Sequence, residues 1–259
     1  MSKPQFISAD VLRGIRGVCF DLDDTVSTHG KLTSEAFDSL WRLKHAGFRL
    51  VMMTGRPAGW CDHFARFWPI DAVVGENGAF TFLMQAGKRV RLDTPGILPK
   101  EERQVKLQAL RERLERTFPT LRFASDQSYR EQDLAIDLCE DVVPASAEWI
   151  QKVESVLVEM GATYKISSIH LNAWYGHFDK WSGFEHWRRE RENVGALKEW
   201  VYVGDSPNDE PLFQHFKHSV GVANIAPFLP KLRFPPKYVT HKESGEGFCE
   251  LTHLLLQAK

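Results

Sequence analysis

The chain has 259 residues, with 33 Lys and Arg against 34 Asp and Glu, a formal net charge of -1 and 43% hydrophobic content. This balance is that of a folded protein with room for one large domain or two smaller ones, and it excludes intrinsic disorder and collagen-like architecture. A near-neutral chain offers no basic field to a phosphate backbone, so nucleic acid is not an expected partner. The cysteines, Cys19, Cys61, Cys139 and Cys249, are widely spaced, form no C-x-x-C pair, and read as reduced thiols. No apolar run long enough for a signal peptide or a membrane span is present, so no membrane partner and a cytoplasmic location are expected.

Along the chain, short apolar runs alternate at first with amphipathic helices, the pattern of βαβ units around a parallel sheet. Gly17-Val18-Cys19-Phe20 is the first strand. A helix follows over Thr33–Ala46, with Phe37, Leu40, Trp41 and Leu43 on one side and Gly47 just past its end. Phe48–Met53 returns as a strand, Pro57 opens the next helix, and Asp71–Val74 is a third strand that ends at the turn Gly75-Glu76-Asn77-Gly78. Residues 79–92 read as a hairpin. Pro99 to Thr117 is a charged helix with Val105, Leu107, Leu110 and Leu114 on its inner side. Ala135–Leu138 and Tyr164–Leu171 read as strands around a helix over Ser146–Met160. Hairpin, helix, strand, helix and strand make an α+β unit set into the α/β frame, which resumes with a helix at Trp181–Arg191 and the strand Trp200–Val203. A helix from Asn208, the strand Ser219–Val222 and a helix over Gly247–Leu256 complete it.

Three strand ends carry chemistry. Side chains beyond the carboxyl ends of parallel strands face the ligand crevice, so Asp21 and Asp23 of Asp21-Leu22-Asp23-Asp24-Thr25 point into it. Thr54-Gly55-Arg56 ends the second strand with a hydroxyl and a Gly N–H suited to an anion. Gly204-Asp205-Ser206-Pro207-Asn208-Asp209 brings two more carboxylates. Acids gathered in one crevice repel each other unless a cation compensates, and oxygen ligands in a phosphate-handling site suit Mg²⁺. Lys180, opening a helix, adds positive charge against a phosphoryl oxygen.

In this order, Phe20-Asp21-Leu22-Asp23-Asp24-Thr25, Thr54-Gly55-Arg56, Lys180 and Gly204-Asp205-Ser206-Pro207-Asn208-Asp209 resemble the four motifs of the haloacid dehalogenase-like (HAD) phosphohydrolase superfamily. Glu76-Asn77-Gly78-Ala79 resembles the junction of subfamily IIB, which holds the Cof-type sugar phosphatases, sucrose-phosphatases and mannosyl-3-phosphoglycerate phosphatases. The interval from Thr25 to Thr54 fits only one crossover helix, whereas that from Thr54 to Lys180 holds the α+β insert. The resemblance therefore implies a Rossmann-like α/β core over residues 1–83 and 177–259, helices on both sheet faces, and an α+β cap of the C2B class over 84–176.

The resemblance also implies roles. Asp21 is the nucleophile that becomes an aspartyl-phosphate, and Asp23 is the acid, then the base. Mg²⁺ is held by Asp21, the Asp23 backbone carbonyl and Asp205, while Asp209 orients water or Lys180 from behind. Thr54, Gly55, Lys180 and Asn208 hold the phosphoryl group. The expected activity is hydrolysis of a small phosphorylated metabolite, a sugar phosphate or sugar-phosphoglycerate, by a monomer or small homo-oligomer. A phosphomutase of the phosphomannomutase type and a non-catalytic phosphosugar-binding regulator are the alternatives. Specificity is expected in the cap, where strand alternation sets Ser168, His170, Asn172 and Trp174 on one face, either against a sugar or as a solvated face with one buried Trp. Arg130 reads either as a contact for a second anionic group or as a surface residue.

Overall fold

The computed structural model describes residues 4–259. In chain order the first half comprises β1 (Gln5–Phe6), β2 (Gly17–Asp21), α1 (Ser34–His45), β3 (Arg49–Met53), α2 (Ala58–Phe67), β4 (Ala72–Gly75), β5 (Phe80–Gln85), β6 (Lys88–Asp93) and α3 (Lys100–Thr117). The second half comprises β7 (Asp133–Asp137), α4 (Ala147–Glu159), β8 (Thr163–Ile166), β9 (His170–Trp174), α5 (Lys180–Arg189), β10 (Trp200–Gly204), α6 (Glu210–His215), β11 (His218–Gly221), β12 (Tyr238–Val239) and α7 (Ser244–Gln257).

Nine strands form one sheet in the order β1-β12-β11-β10-β2-β3-β4-β5-β6. It is parallel from β1 to β4 and antiparallel from β4 to β6. The chain leaves β2 toward β3 and β4 and later returns on the other side through β10 and β11. The strand order thus reverses at β2 and β10, where open α/β sheets place their ligand crevice. Alternation along the central strands divides the core: Val18, Phe20, Leu50, Met52, Val201 and Val203 pack on the face covered by α1 and α7. Cys19, Val51, Met53, Trp200 and Tyr202 pack on the other, under α5 and α6. Asp21 shares the parity of Cys19 and Tyr202.

The insert has its own core. Leu110 and Leu114 of α3 meet Val153 and Leu157 of α4 over a three-stranded sheet of order β7-β9-β8. Three expectations need correction here. The hairpin expected in the insert is β5–β6, which pairs with β4 and extends the core sheet, because a polypeptide leaving the Asn77 turn runs straight back along β4. The single strand expected over Tyr164–Leu171 is a hairpin, β8 and β9, turning at Ser167–Ile169 and closed by the Ser167 N–H donating to the His170 carbonyl at 2.9 Å. Val105 is 71% exposed, since the inner stripe of α3 runs through Arg103, Leu110 and Leu114 and leaves Val105 turned outward. Among the described residues no helix is long and apolar enough to cross a membrane.

Candidate active site

Asp21 closes β2, a strand buried at every position, and the residue is only 4% exposed. Asp205 follows β10 and Thr54 follows β3, the two neighbours of β2, so the sheet itself brings the three together. Asp21, Asp205 and Asp209 each present a carboxylate oxygen, and these lie within 4.8 Å of one another. Lys180 Nζ donates to Asp21 Oδ1 at 2.8 Å and to Asp209 Oδ1 at 2.7 Å.

Local sequence sets these positions. Asp179 caps α5: its carboxylate accepts the Ser182 N–H at 2.8 Å, and the Ser182 hydroxyl accepts the Asp179 N–H at 2.8 Å, fixing Lys180 at the first helical position. Gly78, at φ +111°, lets the turn after β4 press on this helix start, where a Cβ would sit 1.9 Å from the Asp179 carbonyl oxygen. Gly204 does the same for Asp209, whose Oδ2 would lie 2.2 Å from an added Cβ. Asp209 Oδ2 accepts the N–H groups of Asp205 and Ser206 at 3.0 and 3.2 Å, and its Oδ1 accepts from Lys180 and from the Tyr202 hydroxyl at 2.5 Å. Both oxygens of Asp209 are therefore occupied within the protein. Asp205 accepts from the Thr25 hydroxyl at 3.1 Å and is otherwise turned to the cluster.

The charges do not balance. Burial raises the Asp21 carboxyl most, Lys180 opposes, and Asp209 and Asp23 add to the rise, up to about 7. Burial, then Asp21 and Asp209, hold Asp205 well above the ordinary carboxylate range. Burial alone would strip the Lys180 ammonium, but Asp209 and Asp21 outweigh it and its pKa is raised. Three carboxylates on one lysine leave a surplus of negative charge in a dry site. The donor set is all oxygen, which fits a hard divalent cation.

The remaining core residues lie around this cluster. Thr54 is fully buried, its hydroxyl accepting the Arg56 N–H at 3.0 Å. Asn208 Nδ2 donates to Asn77 Oδ1 at 3.3 Å, and the buried Asn77 Nδ2 finds no protein acceptor. Asp23 turns away from the acids toward Arg56, whose Nε lies 3.1 and 3.0 Å from its two oxygens and whose Nη2 lies 2.8 Å from Oδ1. Arg56 also reaches the insert, donating to Glu140 Oε1 at 2.7 Å and Asp126 Oδ2 at 3.4 Å.

The insert residues divide. Arg130 is not a surface residue: its side chain is fully buried, donating to Asp126 at 2.9 Å, Asp133 at 3.1 Å and the Gly55 carbonyl at 2.9 Å, while its Nη2 finds no protein acceptor. Asn172 donates to Asp133 at 2.8 Å, and His170 Nε2 lies 2.9 Å from Glu140 Oε2. Ser168 sits in the β8–β9 turn, off the strand face expected to carry it, and lines a cavity beside Asp23. Trp174 is fully buried against Phe178, but His170 and Asn172 are buried with it, so the face is not the solvated one that the alternative expected. The sequence reading missed Arg56, Glu140, Asp126, Asp133, Tyr202 and the buried Glu76, which accepts the N–H groups of Ala58, Glu131 and Gln132 and so ties the insert to the core.

The sequence model of the haloacid dehalogenase-like hydrolases matches residues 18–113. No match was found among curated proteins. Among solved structures, a Thermoplasma acidophilum protein is similar with a TM-score of 0.72 at 18% identity, covering 93% of this chain and 99% of its own. A putative HAD/COF-like hydrolase from Plasmodium vivax gives 0.70 at 18% identity, over 95% and 97%. A HAD subclass IIB sugar phosphatase gives 0.63 at 16% identity, over 92% and 98%. The fold is the Rossmann-like α/β fold with an inserted unit that these proteins share. Similarity to the haloacid dehalogenase-like hydrolases in sequence is thus confined to residues 18–113, and the solved structures extend it, as a likeness of fold, over the whole chain.

Proposed function

We propose that the chain is a Mg²⁺-dependent phosphatase of a small phosphorylated metabolite, a sugar phosphate or sugar-phosphoglycerate, acting in the cytoplasm through an aspartyl-phosphate on Asp21. The observation that carries the reading is the meeting of Asp21 and Asp205 carboxylates, from two separate strand ends, within 4.8 Å of each other beside Lys180. A non-catalytic regulator has no use for so costly a gathering of buried charge.

Mg²⁺ would be held by Asp21, Asp205 and the Asp23 backbone carbonyl, and when bound it supplies positive charge to the transferring phosphoryl group. Thr54, the Gly55 N–H, Lys180 and Asn208 orient that group in line with the Asp21 carboxylate, which attacks phosphorus. Asp23 gives a proton to the departing alkoxide and later takes one from the water that opens the aspartyl-phosphate. Asp209 keeps Lys180 aimed and charged. Residues 94–176 would form the cap that covers the leaving group and excludes water.

Phosphate release from a panel of phosphorylated metabolites tests the reading. Release should stop with EDTA and return with added Mg²⁺; an EDTA-insensitive release overturns the metal role, and isomer formation without free phosphate favours the mutase.

A further inference from the structure

A cavity of about 330 Å³ opens beside Asp23, between the core and the insert. It is lined by Asp23, Asp24 and Arg56 from the core and by Cys139, Glu140 and Ser168 from the insert. Asp23 is the residue that would protonate the leaving oxygen, so this is where the leaving group would lie. The volume is at the small end of ligand cavities and suits one monosaccharide-sized group.

The lining is rich in acceptors and poor in free positive charge. Its one permanent cation, Arg56, is shared by three carboxylates, those of Asp23, Glu140 and Asp126. Asp23 and Glu140 line the cavity, Asp126 does not, and Asp24 adds a third carboxylate to the wall. Glu140 is held ionised: burial opposes its charge, but hydrogen bonds from His170 and Arg56 outweigh burial and bring its pKa down to about 2. Arg130, the other guanidinium nearby, pairs with Asp126 and Asp133 and is not among the residues that line the cavity. Carboxylate oxygens and the Ser168 hydroxyl accept hydrogen bonds from sugar hydroxyls, whereas a carboxylate or second phosphate on the substrate meets like charge.

We infer that the leaving group is an uncharged polyhydroxylated alcohol, and that Glu140 and Asp24 select against substrates whose leaving group is anionic. The inference rests on the phosphatase reading above and goes beyond it by excluding the sugar-phosphoglycerate branch.

Matched substrate pairs test this on the full-length enzyme with Mg²⁺. Glucitol 6-phosphate and 6-phosphogluconate differ only by a terminal alcohol or carboxylate, as do glycerol 3-phosphate and 3-phosphoglycerate. The expected result is a kcat/KM at least about tenfold higher for the uncharged member of each pair, the size of one like-charge contact worth about 1.4 kcal/mol. Glu140→Gln should narrow that ratio. So should Asp24→Asn, which preserves shape and tolerates the φ of +53° at this position. Equal rates within each pair, a preference for the carboxylated member, or an unchanged ratio in both folded variants overturns the inference. If no substrate, p-nitrophenyl phosphate included, releases phosphate, the phosphatase reading itself fails and takes the inference with it.

Discussion

Two clusters of buried acids flank the Asp23–Arg56 ion pair, and they are built to different rules. On the core side Asp21, Asp205 and Asp209 converge on one lysine, and Asp205 has little besides a threonine hydroxyl to neutralise it. On the insert side Asp126 and Asp133 close around Arg130, and Glu76 accepts three backbone N–H groups. The first cluster leaves Asp205 with few protein donors and fits a cation; in the second, backbone N–H groups, Arg130 and Asn172 reach the carboxylates and fasten the insert to the core, although burial and the neighbouring Asp133 still push the Glu76 carboxyl up to about 8. Burial of acids is therefore no guide to chemistry until their partners are counted.

The sharpest way to break this contrast is to alter one member of each cluster. Asp21→Asn keeps the volume and removes the proposed nucleophile, so phosphate release should fall by ~10⁴-fold or more while the thermal unfolding curve stays cooperative. Arg130→Met should do the reverse. It strands two buried carboxylates, with an expected loss of about 3–5 kcal/mol in urea unfolding. If Arg130→Met left stability intact and abolished only turnover, the insert cluster would belong to the chemistry.

A smaller effect lies at the boundary between the clusters, in Glu140. Its folded pKa of about 2 lies below its ordinary value of 4.5, so it stabilises the fold above that value and the contribution disappears as pH falls from about 4.5 through about 2. With a quarter of the side chain open to water, the effect is on the order of 1 kcal/mol. Acid titration of unfolding free energy should show a shallower slope in Glu140→Gln over that window; identical slopes would contradict a stabilising pairing of Glu140 with Arg56 and His170.

The core cluster was legible in the sequence because Asp21, Thr54 and Asp205 each end an apolar strand, and parallel strands put all such ends on one edge. Lys180 followed from its place at a helix start, which the Asp179–Ser182 capping box secures. The insert cluster was not legible. Arg130 looked like a surface residue because its partners at 126 and 133 and the carbonyl of Gly55 meet only after the insert folds back on the core. One signal was available: Asp133 and Asp137 bracket the otherwise apolar Leu134-Ala135-Ile136, and an acid inside a buried strand requires a partner. Arg56 was quoted within its motif, yet nothing local announced that it bridges Asp23 to Glu140.

The most direct measurement is a crystal structure of the wild-type protein soaked in MgCl₂. One ion bound between the carboxylates of Asp21 and Asp205, with Lys180 opposite and Asp209 outside the ligand set, is the expected result. An empty cluster at saturating Mg²⁺, with Lys180 alone neutralising the acids, would contradict it.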